Sequence, residues 1–282
     1  MLLKNSVTDT ITDIQILRTQ ILVSSVDKSI VVYNNTEIKS RIEHHLPITK
    51  LSVFNDEIIF SDIEGGINVG SNYIKTSCGG IQGLCSYQNA IMAGGWNKNL
   101  QIIQSGEIVH TMNLKNKIYA MDLNNHILLA GCDDCVYFML DLRKSNHIVY
   151  KNVKNSVSSV SLGKCAAIGT TRGKIKLDFD LLSEKSENSY IFNAHITENV
   201  DSKIFYPVTS MIVGDTLISG GSDGRIIEMD YNQKRKLREI IHSDVPVSII
   251  KECGNYIVAG FSDNYEKGEL LGLEPQVRIL EK

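Results

Sequence analysis

Long apolar runs are missing from this sequence, and so is any excess of charge. No stretch approaches the roughly 20 apolar residues of a membrane-spanning helix. Met1-Leu2-Leu3-Lys4-Asn5 is too short and too polar an opening for a secretion signal, so the expected compartment is cytosol or nucleus. Basic residues number 29 against 32 acidic ones, a net charge of -3, where a duplex nucleic-acid binder carries a clear basic excess. Six cysteines lie scattered through 282 residues with no disulfide-framework spacing, and they read as reduced core residues. Helical periodicity is nearly absent, which leaves no room for the helices that a parallel α/β fold places between its strands.

Signatures of chemistry are equally scarce. There is no P-loop and no dinucleotide fingerprint. Cys132-Asp133-Asp134-Cys135 has the spacing of half a zinc site, but no second ligand pair follows. His44-His45 reads as a solvated loop pair. Gly220-Gly221-Ser222-Asp223-Gly224 fits the pattern of a hydrolase nucleophile elbow, which must join a strand to a helix; here it joins two strands. A catalytic propeller would need His, Asp or Glu converging at the innermost strands, and those positions read as apolar and small. The expectation is a non-enzymatic chain with no metal, no cofactor and no catalytic residue.

What the sequence does contain is a repeat. An opening apolar run leads to a second run ending in small residues, then a tight polar turn, then a third alternating run. In one cycle these are Ile11-Thr12-Asp13-Ile14, Ile21-Leu22-Val23-Ser24-Ser25, Asp27-Lys28 and Ile30-Val31-Val32-Tyr33. In another they are Val208-Thr209-Ser210-Met211-Ile212, Leu217-Ile218-Ser219-Gly220-Gly221, Asp223-Gly224 and Ile226-Ile227-Glu228-Met229-Asp230. The other cycles open near Ile48, Ile81, Ile118, Val157 and Val247, at spacings of 33 to 51 residues. A period near 40 built from short strands is that of a propeller blade, a four-stranded sheet that buries its faces only against neighbouring blades. The fold class is therefore all-β, a seven-bladed β-propeller spanning residues 1–282 as one domain. Pro47, Pro207 and Pro246 sit at strand entries, where a missing backbone donor is tolerated. Glu64-Gly65-Gly66, Arg172-Gly173 and Asp223-Gly224 suit hairpin turns that need positive φ.

The seventh blade lacks a fourth strand at the C-terminus; its third strand falls near residues 277–280. Leu2-Leu3-Lys4-Asn5-Ser6-Val7 is predicted to complete it and blunt an open edge. The longest spacing holds two polar loops, at residues 182–188 and 197–203. Lys234-Arg235-Lys236-Leu237-Arg238 reads as a solvated outer strand rather than an import signal. Because successive strands alternate in direction, the turns between second and third strands share a face with the links between blades. Trp96, Asp27, Glu64, Arg172 and Asp223 are expected on that face, with residues 195–203 above it. Trp96, the only tryptophan, lies in such a turn rather than within a strand, as an interface anchor would.

Several stretches resemble one WD-repeat family. They are Gly95-Trp96-Asn97-Lys98-Asn99-Leu100, Lys115-Asn116-Lys117-Ile118-Tyr119-Ala120-Met121-Asp122, Leu140-Asp141-Leu142-Arg143 and Gly173-Lys174-Ile175-Lys176-Leu177-Asp178-Phe179. The run through His195, Glu198-Asn199, Tyr206-Pro207-Val208 and Gly221-Ser222-Asp223-Gly224 is the most specific. The chain resembles the Bub-type mitotic-checkpoint WD-repeat proteins. Their nuclear-pore mRNA-export relatives are the second choice, matched slightly better by Asn264-Tyr265-Glu266-Lys267-Gly268-Glu269.

The resemblance implies a monomeric scaffold that binds GLEBS-type peptide motifs of checkpoint kinases or pseudokinases on its top face. It also implies docking on phosphorylated kinetochore-scaffold repeats, with localisation at the nucleus and kinetochore; the export relative would sit at the nuclear pore and in the cytoplasm, on a nucleoporin GLEBS motif. No nucleic acid and no membrane are implied as direct partners. The resemblance implies Trp96 and His195 as peptide-binding residues, and the shared face adds Glu64, Arg172, Lys203, Asp223 and Arg225 as expected contacts. Departures from the family pattern weaken phosphate reading. Ile196 stands where the family has an arginine, Ala194 replaces a cysteine, and Val213-Gly214-Asp215-Thr216 lacks a basic residue. Any remaining phosphate contact is expected at Lys203, Arg172 or Arg225.

Overall fold

A computed structural model describes residues 1–4, 7–144, 147–198, 202–264 and 272–282. The chain is all-β, and its seven blades make it a β-propeller. Every blade opens at the residue that the repeat picks out: Ile11, Ile48, Ile81, Ile118, Val157, Val208 and Val247. The chain divides into two compact units, residues 1–117 with 248–282, and residues 118–247.

In the first unit, blade one comprises Ile11–Leu17, Gln20–Ser25, Ser29–Asn34 and Glu37–Glu43 as an antiparallel meander. Blades two and three follow in the same order. The second strands are buried over most of their length, with small residues such as Ser24, Ser61 and Ala93 in the buried part. The outer strands Glu37–Glu43 and Glu107–Asn113 are mostly exposed. That gradient is the propeller's logic: apolar area is buried between blades, and the outermost strand meets water. Leu22, Ile30 and Val32 of blade one pack on Ile48, Leu51 and Phe60 of blade two. Ile59 and Ile67 of blade two pack on Ile81, Leu84 and Ile91 of blade three.

The last blade has three strands, Val247–Cys253, Tyr256–Phe261 and Gln276–Glu281. The chain's first residues join it as expected, through less chain than expected. The Met1 ammonium donates to the Ile279 carbonyl at 2.6 Å, Ile279 N–H to Met1 at 2.8 Å, and Leu3 N–H to Val277 at 2.9 Å. Pairing is a bridge at Leu2 and Arg278 rather than a six-residue strand. Asn5 and Ser6 lie outside the described residues. Leu3 and Val7 enter the core beside Val258, Val277 and Ile11, so the closure is apolar as well as hydrogen-bonded. Pro275, to which the sequence assigned nothing, directly precedes the strand Gln276–Glu281, in the same position as Pro47 and Pro207 before theirs.

In the second unit, blades four, five and six are again four-stranded. Leu129, Tyr137 and Met139 of blade four pack on Val157, Leu162 and Ile168 of blade five. Ile175 and Leu177 of blade five pack on Val208, Leu217 and Ile227 of blade six. The segment read as a polar loop at 197–203 is instead part of a hairpin: Ile196–Glu198 pairs with Lys203–Phe205, setting Ile196 opposite Phe205. Apolar residues at Ile196, Ile204 and Phe205 flank the polar tip, and a polar count over the tip alone hides the pairing. Arg235–His242 is the exposed outer strand of blade six, as its basic run suggested.

Two repeated devices were invisible in the sequence. The first strand of each of the first six blades is bulged just after its opening residue, at Thr12, Thr49, Gln82, Tyr119, Ser158 and Thr209. A bulge bends and twists a strand, here at the same point in each blade. Inner strands also carry carboxylates, against the expectation of apolar and small positions only. Asp13 accepts a hydrogen bond from Leu51 N–H at 3.1 Å, and Asp122 one from Leu162 N–H at 2.8 Å. Both carboxylates tie one blade to the next.

Candidate functional site

In the first unit, Glu64 and Trp96 lie on successive turns of blades two and three, joined by the link between those blades. Gly65 has φ +83, and a Cβ there would lie 2.5 Å from the Gly79 carbonyl oxygen. A Cβ on Gly79 would lie 3.0 Å from the Asn97 side chain, and one on Gly80 2.7 Å from the Trp96 ring. Gly80 thus forms a shelf for the indole ring, and Gly79 makes room for the Asn97 side chain. Trp96 N–H donates to Gly80 at 3.3 Å and Asn97 N–H to Cys78 at 2.9 Å, which fix the turn. Trp96 remains 42% exposed, and Ile63, beside Glu64, is 46% exposed. A held aromatic that keeps much of its surface in water has little side-chain entropy left to lose on binding. Ile63 was not singled out from the sequence, although an isoleucine within a turn was the available signal. Glu64 is exposed and faces Lys75 at 3.6 Å. His44 corrects the solvated reading: its side chain is 9% exposed, lies 3.5 Å from the buried Asp62 carboxylate and meets Phe60 edge to face.

In the second unit the geometry separates the remaining candidates. His195 is fully buried, with Nδ1 2.9 Å from Asp223 Oδ1 and Nε2 2.9 Å from Ser219 Oγ. An ionised carboxylate only accepts, so Nδ1 carries a proton and, in the neutral ring, Nε2 accepts the Ser219 hydroxyl. Asp223 also accepts from Arg225 N–H at 3.1 Å and from Arg225 Nε at 2.7 Å. His195, Asp223 and Arg225 therefore form a connected relay. Both ring nitrogens are used, the carboxylate is covered, and the guanidinium is tied to it, with the Arg225 side chain still 19% exposed. Glycines make the space: a Cβ on Gly221 would sit 2.3 Å from the His195 ring, and Gly173 accepts both Ala194 and His195 N–H through its carbonyl.

The relay has a pH signature. Burial pushes the Asp223 carboxyl up, but the His195 hydrogen bond, the His195 charge and Arg225 outweigh it and hold the carboxyl below its ordinary value. A carboxyl depressed on folding contributes stability above its unfolded pKa and loses it as pH falls through the folded value. Asp223→Asn is expected to lose about 1–3 kcal/mol at neutral pH and to show a shallower decline in acid. Urea melts at descending pH check this; parallel acid limbs for the two proteins would contradict it.

Two cations do reach the surface. Arg172 is exposed and its guanidinium lies 5.2 Å from the centre of the Phe205 ring. Lys203 pairs with Glu198 across the hairpin. Of the three residues expected to inherit phosphate contact, Arg225 is committed to Asp223, Lys203 is paired, and Arg172 is stacked but open. Elsewhere, burial pushes the Cys78 thiol up to about 11 and those of Cys132 and Cys165 up to about 12, in keeping with core cysteines. The stretch Gly220–Gly224 joins two strands of blade six, as the sequence suggested. Apart from Asn264, the motif that leaned toward the export relative lies outside the described residues.

No protein-family model matches the chain. It is 22% identical over 227 residues to the mitotic checkpoint protein bub-3 of Caenorhabditis elegans, covering 73% of this chain and 65% of that protein. It is 20% identical over 176 residues to the spindle assembly checkpoint protein bub3 of Schizosaccharomyces pombe, covering 58% of this chain and 55% of that one. The matches thus span under two thirds of either relative. Among solved structures, U3-55K superposes on the whole chain with a TM-score of 0.88, covering 98% of that structure at 12% identity. The RRP9 WD40 repeats do so at 0.85, covering 97% at 12% identity. These two likenesses concern the fold alone.

Proposed function

We propose that this chain, whose sequence matches and seven-bladed fold fit a Bub-type WD-repeat protein, is a non-enzymatic scaffold of the mitotic checkpoint. In this reading it binds GLEBS-type motifs of checkpoint kinases or pseudokinases and brings them to kinetochores in the nucleus. The observation that carries the peptide-binding part is Trp96, half-exposed and held on the Gly80 shelf with Glu64 and Ile63 on the adjoining turn. A motif with an apolar residue beside a basic one suits indole, isoleucine and carboxylate together. Arg172 stacked on Phe205 is an open cation on the second unit, suited to an acidic residue. His195, Asp223 and Arg225 act by shaping the turn rather than by touching the peptide. Ile196 is paired with Phe205 in the hairpin and offers no charge, which supports weak phosphate reading at that position.

Affinity purification from mitotic cells, comparing wild type with Trp96→Ala, tests the reading. A checkpoint kinase recovered with wild type and lost with the variant is the expected result. A nucleoporin lost in the same way would move the protein to mRNA export, and an unchanged partner set would remove Trp96 from the site.

A further inference from the structure

The outer strand of blade three, Glu107–Asn113, is an open sheet edge in the first unit. It ends the sheet order, and among the described residues no backbone hydrogen bond leaves its outer side. Five successive residues, Glu107 to Thr111, are exposed, so neither face of the strand is packed on a neighbour there. Ile108 is 38% and Val109 54% exposed. Proteins guard such edges with charge. The outer strand of blade six is as exposed but carries Arg235, Lys236, Arg238 and Glu239, and that of blade one alternates acidic and basic residues. Blade three's outer strand carries Glu107 alone. Its other guard is a bulge at Val109, between the pairs Ile103–Ile108 and Ile102–His110, and the residue set free there is apolar.

The strand is complementary to itself. Set antiparallel to a second copy about His110, it places Ile108 opposite Met112 and Val109 opposite Thr111, apolar and β-branched pairs of the kind that stabilise neighbouring strands. Glu107 then lies opposite Asn113, and Lys98 stands at that end of the strand: Asn99 pairs with Asn113, and the Lys98 carbonyl accepts Leu114 N–H at 2.7 Å. Glu107 and Lys98 are both exposed, and among the described residues neither has an ionic partner. The two ends of the edge thus carry opposite charge. Antiparallel pairing brings Glu107 of each copy to the Lys98 end of the other, so the contact occurs twice by symmetry. Two edges joined in this way use each other up, and association stops at a pair.

We propose that the outer strand of blade three joins two copies of this chain, paired antiparallel about His110 with two Glu107–Lys98 ion pairs, in place of the monomer that the resemblance implies. Each Trp96 turn, which also holds Lys98, then stands at an opposite end of the joined sheet. The contact does not rest on the GLEBS-type reading, and neither the Trp96 ring nor the His195 relay takes part in it.

The test is sedimentation equilibrium of the full chain over about 1–100 μM, the range in which a dimer of micromolar affinity dissociates. It is run at about pH 8, where an ordinary histidine is neutral. Wild type is expected to pass from monomer to dimer mass and no further. Val109→Lys, which puts an ammonium on the edge, is expected to weaken association about tenfold or more. Leu237→Lys, at a residue 42% exposed on the outer strand of blade six, is expected to leave it unchanged. Glu107→Lys and Lys98→Glu are each expected to weaken it about threefold or more, because like charges then meet at both ends. An equal mixture of these two variants is expected to recover wild-type association, since one copy then carries only positive charge at the two ends and the other only negative. A monomeric mass at every concentration overturns the proposal. Equal weakening by Leu237→Lys overturns the choice of edge, and a mixture no more associated than either variant alone overturns the antiparallel register. Because no peptide is present, failure here is distinct from failure of the scaffold reading.

Discussion

Replacing Lys151 by methionine is expected to cost about 3–5 kcal/mol of folding stability, as breaking one side of a buried ion pair does. Lys151 lies on the fourth strand of blade four, yet its side chain is only 3% exposed and that of Asp178 is fully buried. Lys151 Nζ donates to Asp178 Oδ2 at 2.7 Å and to the Asp180 carbonyl at 2.8 Å. Tyr137 donates to the same carboxylate oxygen at 2.6 Å and Ser186 at 2.9 Å, while Asp180 N–H bonds Oδ1 at 3.0 Å. The carboxylate is thus satisfied on every side, and the chain has nothing left to offer when the ammonium is removed. Methionine keeps most of the apolar stem, so the loss reports the stranded charge rather than a cavity. Lys151→Met/Asp178→Asn is expected to lose less than the two single changes summed, because the second change removes the uncompensated charge. Urea denaturation at neutral pH measures all three. A loss for Lys151→Met within about 0.5 kcal/mol, the range of ordinary surface changes, would contradict the burial of the pair.

Gly224→Ala is the second large effect, at about 3 kcal/mol or more. Gly224 has φ +76 in the turn between the second and third strands of blade six, and an added Cβ would lie 1.8 Å from the Ser243 carbonyl oxygen. The Gly224 carbonyl accepts Ser243 N–H at 3.0 Å, so the clashing segment is also bonded to it and cannot move away cheaply. The chain supplies its own control. Gly106 and Gly254 have φ +85 and +59 but no atom within 4 Å of the added Cβ. Alanine at either is expected to cost only the left-handed backbone strain, about 1–2 kcal/mol. Thermal melts should therefore rank Gly224→Ala well below the other two. Equal melting temperatures for the three variants would contradict the close approach of the turn and the Ser243 backbone.

The blades were legible in the sequence because their cause is periodic. Each opening run precedes a second run that must be small and apolar to fit between sheets, followed by a turn that needs positive φ. Gly65, Gly173 and Gly224 supply that φ, and Lys28, Lys98 and Cys135 adopt it at the corresponding positions without glycine. Trp96 was legible for the same reason, as an aromatic in a place where the repeat calls for a turn. Other features depend on contacts far apart in the chain. Nothing local marks Lys151 as buried, since an alternating outer strand normally turns a lysine to water; its partners, Asp178 and the Asp180 carbonyl, lie on the next blade. His195 looks like a loop residue until Gly221 is seen to leave room for its ring and Gly173 for its backbone. The hairpin beginning at Ile196 was missed because three-residue strands carry too few positions to establish alternation.

The central claim is that the Trp96 shelf holds a peptide. The most direct measurement is calorimetric titration of a synthetic GLEBS-type peptide from a checkpoint kinase into wild type and Trp96→Ala, with melting curves to show that both are folded. Saturable binding by wild type, weakened about thirtyfold or more in the variant, is the expected result, since removing an aromatic anchor commonly costs about 2 kcal/mol. Equal affinities, or no binding by folded wild type, would contradict it.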